Sequence, residues 1–147
     1  MKKTGPFTTG IGSLPHHNID AALEYSFRHA IPFLPQIPIR NPWEYMIAQA
    51  LEGLPGLQVE KDGDTFLDLE VWRGREKAFG AKLDDAFERK DFSAFEPSGA
   101  SSSGWQPFLW ECQEREVSQA KVQLAGPITC QWALHLSDGA DVQKHPS

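Results

Sequence analysis

Phe7-Thr8-Thr9-Gly10-Ile11-Gly12-Ser13-Leu14-Pro15 is the stretch on which the fold turns. β-formers come first, two glycines follow, and a proline ends the run, which reads as a short strand entering a loop. Just beyond, Asn18 is placed to cap a helix over 19–30, where Ile19, Leu23 and Phe27 follow the helical repeat with Ala22 and Tyr25. The same strand–loop–helix grammar then recurs. Ile31-Pro32-Phe33-Leu34-Pro35-Gln36 is short, apolar and bounded by prolines, as a buried strand would be. Asn41-Pro42 supplies a cap and a first-turn proline for a helix over 43–51, closed by Gly53-Leu54-Pro55-Gly56. Lys121-Val122-Gln123-Leu124-Ala125 reads as a third buried strand, closed by Gly126-Pro127, with a helix starting near Thr129 and fading toward Gln143–Ser147.

Between the second and third of these units lies an excursion. Leu57-Gln58-Val59-Glu60 and Thr65-Phe66-Leu67-Asp68-Leu69 alternate around Asp62-Gly63, a hairpin signal covering about 57–70. Phe79, Leu83 and Phe87 recur every four residues in a charged stretch, predicting an amphipathic helix over 75–90. Residues 95–104 hold Pro-Ser-Gly-Ala-Ser-Ser-Ser-Gly and read as a flexible loop, and 105–118 as a further helix. Strands alternating with helices imply parallel pairing, hence an α/β domain occupying all of 1–147.

Composition narrows the function. With 147 residues, 40% hydrophobic and 23% charged, the chain can build one ordinary core. A net charge of −6 and the lack of a Lys/Arg cluster argue against nucleic acid and acidic membranes as partners. Lys2 and Lys3 have no apolar run behind them, so a secretory signal is not expected and a cytoplasmic location is. Cys112 and Cys130 match no zinc or redox spacing and are expected as reduced thiols.

Three strand ends carry the candidate chemistry, because ligands of parallel α/β folds bind where strand carboxyl ends and helix N-termini converge. Gly10 and Gly12 allow close approach of a ligand, and the Ser13 amide and hydroxyl could hold a carboxylate; a plain strand-to-helix turn is the alternative. This is not a phosphate loop, since the GxxxxGK spacing is missing. His16 and His17 are adjacent, a poor metal pair, so that at most one faces a ligand. Gln36 and Arg40 could reach a polar substrate, or could belong to a rigid proline-rich surface loop. Trp132 could stack on a flat ring, or be a buried structural indole. Asp68 and Glu70, two apart on the second hairpin strand, read as a solvated face rather than a catalytic pair. His135 and His145 have no evident partners in the sequence.

Taken together, the strand ends carry a resemblance. Thr8-Thr9-Gly10-Ile11-Gly12-Ser13-Leu14-Pro15 resembles the opening turn of the catalytic barrel of cobalamin-independent methionine synthase. Leu124-Ala125-Gly126-Pro127-Ile128-Thr129 with Trp132 is similar to a later strand end of that family. Pro35-Gln36-Ile37-Pro38 and Leu54-Pro55-Gly56 are similar to a smaller branch of the same superfamily, which also holds uroporphyrinogen decarboxylase. The resemblance implies an incomplete (β/α)8 TIM barrel, about its first three parallel strands with helices and an inserted hairpin, where a whole barrel takes ~250 residues. It implies the N-terminal part of a zinc-dependent methyltransferase acting on a thiol such as homocysteine, inactive alone. Ile11, Gly12 and Ser13 then become candidates for the amino-acid end of the substrate and Trp132 for the folate, while His16 stays a candidate for facing the ligand. The family's glutamate for the substrate amine has no counterpart, Gln36 being the nearest residue. The family's zinc ligands, a His-x-Cys pair, a Glu and a further Cys, lie on later strands, so no cofactor is expected in this chain. Unpaired barrel edges would favour self-association. The alternative is a small non-catalytic module that binds an amino-acid-like or carboxylate ligand; a porphyrin decarboxylase lacks support because no Arg-rich opening loop is present.

Overall fold

The computed structural model describes residues 7–138, and its architecture is mixed α/β. The three segments expected as parallel strands lie side by side in chain order, 7–14, 32–37 and 121–125. Gly12 O accepts from Gln36 N (2.9 Å), and Gln36 O from Leu14 N (2.8 Å). On the other side Leu34 N donates to Lys121 O (2.9 Å), and Lys121 N to Pro32 O (2.8 Å). Both contacts are parallel, but each is an isolated bridge, Ser13 with Gln36 and Phe33 with Lys121. Prolines explain why no longer ladder forms: Pro32, Pro35 and Pro38 have no amide to donate.

Helix α1, Ile19–Phe27, follows the first segment and is capped by Asn18, whose Oδ1 accepts from Asp20 N (2.7 Å) and Ala21 N (3.3 Å). It stops short of the expected residue 30. Ala30 N and Ile31 N are drawn off to the Thr8 hydroxyl (3.2 Å) and carbonyl (3.0 Å), which ties the chain back to the first segment. The expected helix over 43–51 is divided. Pro42–Glu44 is a 3-10 turn with Asn41 as its cap, Tyr45 is extended, and α2 spans only Met46–Ala50.

Strands β1, Leu57–Val59, and β2, Thr65–Leu67, pair antiparallel with Leu57 opposite Leu67, as their alternation predicts. The reading of Asp68 and Glu70 as strand neighbours is corrected. Asp68 caps α3, Leu69–Arg89, accepting from Glu70 N (3.0 Å) and Val71 N (3.1 Å), so the helix begins six residues earlier than its apolar pattern suggests. Phe79 and Leu83 are partly buried, whereas Phe87 is exposed and meets Phe92 edge-on. Helix α4, Trp105–Glu114, ends before the expected 118. Helix α5, Pro127–Ala133, gives way at once to β3, Leu134–Leu136, which runs parallel to β2 and completes a β1-β2-β3 sheet. The expected helix therefore does not continue, because Leu134 and Leu136 alternate into a core that a helix would leave half empty. What was expected of 1–6 and 143–147 lies outside the described residues. Among the described residues no helix is long and apolar enough to cross a membrane.

Two apolar clusters hold these pieces. Leu23, Leu34 and Phe108 join α1, the middle segment and α4, with Phe27 packed on Phe108 at 5.7 Å between rings. Leu67, Leu134 and Leu136 join β2 and β3, flanked by Leu51, Leu54, Leu57 and Trp72. Each fully buried Leu or Phe contributes roughly 1.5–3 kcal/mol, whereas the three ion pairs described are exposed i,i+4 pairs that add little.

Polar bonds bridge the clusters. The segment read as a flexible loop over 95–104 is held in place: Ser101 and Ser102 are fully buried, and Glu52 accepts from Ser98 N (2.9 Å) and from the hydroxyls of Ser98 and Ser101. Glu44, buried to 1% exposure, takes Ile37 N (2.8 Å) on one oxygen and the Ser103 hydroxyl (2.7 Å) on the other. Its inward turn is why the 43–51 helix is divided. Glu44→Ala should strand the Ile37 amide and cost roughly 2–3 kcal/mol in urea unfolding; a loss below ~0.5 kcal/mol would show that these bonds are not structural.

Candidate functional site

The first turn is built around Gly12. Its φ of +135° lies where side chains are disfavoured, and a Cβ there would fall inside the amide of Gln123. Glycine is thus required for two separate reasons, and the space before it is filled from within the chain. Gly10 is tight for a similar cause: a Cβ would enter the ring of Phe33. Beneath that ring His16, Tyr25 and His29 form an aromatic group, with His16 at 5.6 Å from Tyr25 and His29 at 5.2 Å from Phe33.

Polar side chains gather where the three segments end. Gln123 Nε2 donates to Leu34 O (2.8 Å) and to Gln36 Oε1 (3.1 Å). Gln36 Nε2 donates to Gln49 Oε1 (2.6 Å), and Gln49 Nε2 to Ser101 O (2.9 Å). The result is a relay of three amides from the Gly12 turn to the serine-rich segment, all pointing the same way. Lys121, one alternation earlier, donates to Gly10 O (2.6 Å). This corrects the reading of 121–125 as a buried strand: Lys121 and Gln123 are half-buried, while Val122 and Leu124 point out, Leu124 with 77% exposure. The inward carbonyls and amide of neighbouring segments need polar partners, and these side chains supply them.

The six candidate residues divide accordingly. Gly12 and Ser13 sit at the carboxyl end of the first segment, and Gln36 stands opposite, bridged to Ser13. Gln36 has no exposed surface and spends its amide on Gln49 and Gln123, so it supports the turn instead of reaching a ligand. Ser13 is exposed, and among the described residues neither its amide nor its hydroxyl has a hydrogen-bond partner. His16 is half-buried, with Nδ1 closed from solvent and unpartnered. Ile11 and Trp132 are 74% and 73% exposed, Trp132 on the outer side of α5, and neither is brought into the polar group. Gln123, Gln49 and Glu44 were missed. Lys121 and Gln123 alternating with Val122 and Leu124 were the signal available.

A cavity of about 480 Å³ lies behind the relay, lined by Leu34, Phe79, Leu83 and Trp105 with Gln49 and Gln123 at its polar end. Among the described residues no three His, Cys, Asp or Glu side chains are placed to hold a metal ion. Burial pushes the thiol of Cys112 up, with Arg115 pulling it partly back, and burial alone raises that of Cys130; both favour the neutral thiol over the metal-binding thiolate.

Compared with protein-family models, with curated proteins and with solved structures, the chain matches none. Gly12→Ala is expected to cost about 1–3 kcal/mol of folding stability, and Gln123→Ala in the same chain should recover part of that loss by clearing the Cβ. An unchanged thermal midpoint in the single variant would contradict the geometry described for the turn.

Proposed function

We propose that this chain forms the first part of a methyltransferase barrel of the methionine-synthase-like type, whose Gly12–Ser13 turn holds the carboxylate of a thiol-bearing amino acid such as homocysteine. One observation carries the reading: the amide and hydroxyl of the exposed Ser13, both without partners among the described residues, at the carboxyl end of a parallel layer. A carboxylate can accept from both donors at once. Three parallel segments in chain order, with helices between and after them, support the barrel reading, since that is how a (β/α)8 barrel begins. In this reading the thiol-activating zinc would be held by residues outside those described, and the chain's own part is to bind and orient the substrate.

A second reading is favoured by the chemistry around Gly12. Ser13 offers a hydroxyl, and the side chains behind it, Gln36 and Gln123, are neutral amides, so the turn has donors for a ligand and no group suited to moving a proton. A carboxylate-binding module without catalysis would need nothing more.

Calorimetric titration with L-homocysteine tests the shared core of both. Saturable binding is expected, weakened about three- to tenfold in Ser13→Ala by loss of one hydrogen bond. Absence of binding at ~10 mM, where a millimolar site would be filled, would overturn both readings. Methylation of homocysteine by this chain alone, given a methyl donor, would overturn the assignment of catalysis to missing parts.

A further inference from the structure

Along an extended segment the backbone groups of successive residues point to alternate sides. Lys121 turns both its N–H and its C=O toward the middle segment, onto Pro32 O and Leu34 N. Val122 and, two residues on, Leu124 therefore present theirs to the other side, where none of the four groups has a partner among the described residues. The third segment is thus an open edge of the parallel layer. Its outward side chains are open as well, Val122 with 51% and Leu124 with 77% exposure. The devices that usually blunt such an edge lie elsewhere. The one lysine of the segment is turned onto Gly10 O, and Pro32, Pro35 and Pro38 sit in the middle segment.

We propose that this edge is a homodimer surface, on which two copies of the chain pair antiparallel through residues 121–125. Alternating free N–H and C=O groups are matched by another extended strand, and the register makes a second copy a fit. A two-fold axis at Gln123 sets Val122 opposite Leu124 of the second copy, and Leu124 opposite its Val122. Each pair exchanges two bonds, so that all four free groups of each copy are used. Val122 and Leu124 share one face of the segment, so each covers its counterpart across the axis. The one charge, Lys121, falls opposite Ala125, and no like charges are opposed. Five residues a side bury less than the ~800 Å² that a standard interface takes from each partner, which places the dissociation constant at ~10 µM to ~1 mM. The pairing is independent of whether the Ser13 turn binds a carboxylate.

Sedimentation equilibrium of the full chain up to ~1 mM reads the association, and a monomer–dimer equilibrium is expected. Leu124→Pro removes an N–H that bonds nothing within the chain and should weaken the dimer about tenfold or more. Leu124→Lys, a charge on the edge, should do the same, and decides alone if circular dichroism shows that the proline variant does not fold. Trp110→Lys, at a side chain 59% exposed on α4, should leave the dissociation constant unchanged, which separates edge pairing from general apolar adhesion. Register is read by disulfide formation. A mixture of the Val122→Cys and Leu124→Cys chains should cross-link under mild oxidation, and neither chain alone should exceed the natural one, since 122 meets 124 and not itself. A chain that stays monomeric, or a Leu124→Lys variant that associates as the natural chain does, overturns the proposal. An open-ended series of larger species would mean head-to-tail pairing and overturns the two-fold arrangement, as does a mixture that cross-links no better than either variant alone.

Discussion

The structure depends on a relay of three side-chain amides, two of them buried and one half-buried, each donating to the next. Gln123, Gln36 and Gln49 come from the third segment, the second segment and α2, and each donates to the next until the relay ends on Ser101 O. A buried amide without partners costs about 1–3 kcal/mol, so moving any one element exposes its neighbours to that penalty. Apolar contacts are non-directional and would tolerate small slippage of these elements; the relay does not. It fixes how far the second segment stands from the Gly12 turn and which way the serine-rich segment faces.

The two apolar clusters and the two buried or half-buried carboxylates can be understood around that relay. Leu23, Leu34 and Phe108 secure the helical side, and Leu67, Leu134 and Leu136 secure the sheet side. Neither cluster alone orients the span between them. Glu44 and Glu52 do so, by capturing amides and hydroxyls of Ile37, Ser98, Ser101 and Ser103. Carboxylates serve well because each can accept several donors at once. With the span fixed, the Ser13 amide and hydroxyl are left exposed at the strand ends without a partner among the described residues.

Much of this was legible in the sequence, for physical reasons that can be named. Asn18 before an apolar repeat, Asp62-Gly63 between alternating runs, and three Gly- or Pro-bounded apolar runs each report local chemistry, and the corresponding cap, hairpin and parallel segments are present. The failures are equally local in origin but non-local in cause. Asp68 looked like a strand residue because its capping role depends on where the hairpin stops. Residues 134–136 looked like the end of a helix because nothing in them reveals that β2 is waiting alongside. The serines of 98–103 looked flexible by composition, whereas their partners, Glu44 and Glu52, lie some fifty residues earlier. At the candidate site Gly12 and Ser13 were visible from turn chemistry. Gln36 was visible as a polar residue at a strand end, but its partners Gln49 and Gln123 were not, since tertiary packing sets them.

A double-mutant cycle between Gln36 and Gln49 probes the relay most directly, with Gln36→Leu, Gln49→Leu and the double variant compared by urea unfolding. If the relay holds the strand ends in place, the two losses should be strongly non-additive, with a coupling of about 1 kcal/mol or more. Losses that sum to within ~0.3 kcal/mol would mean that the amides act separately. The site would then owe its shape to the apolar clusters alone, contrary to the structure described.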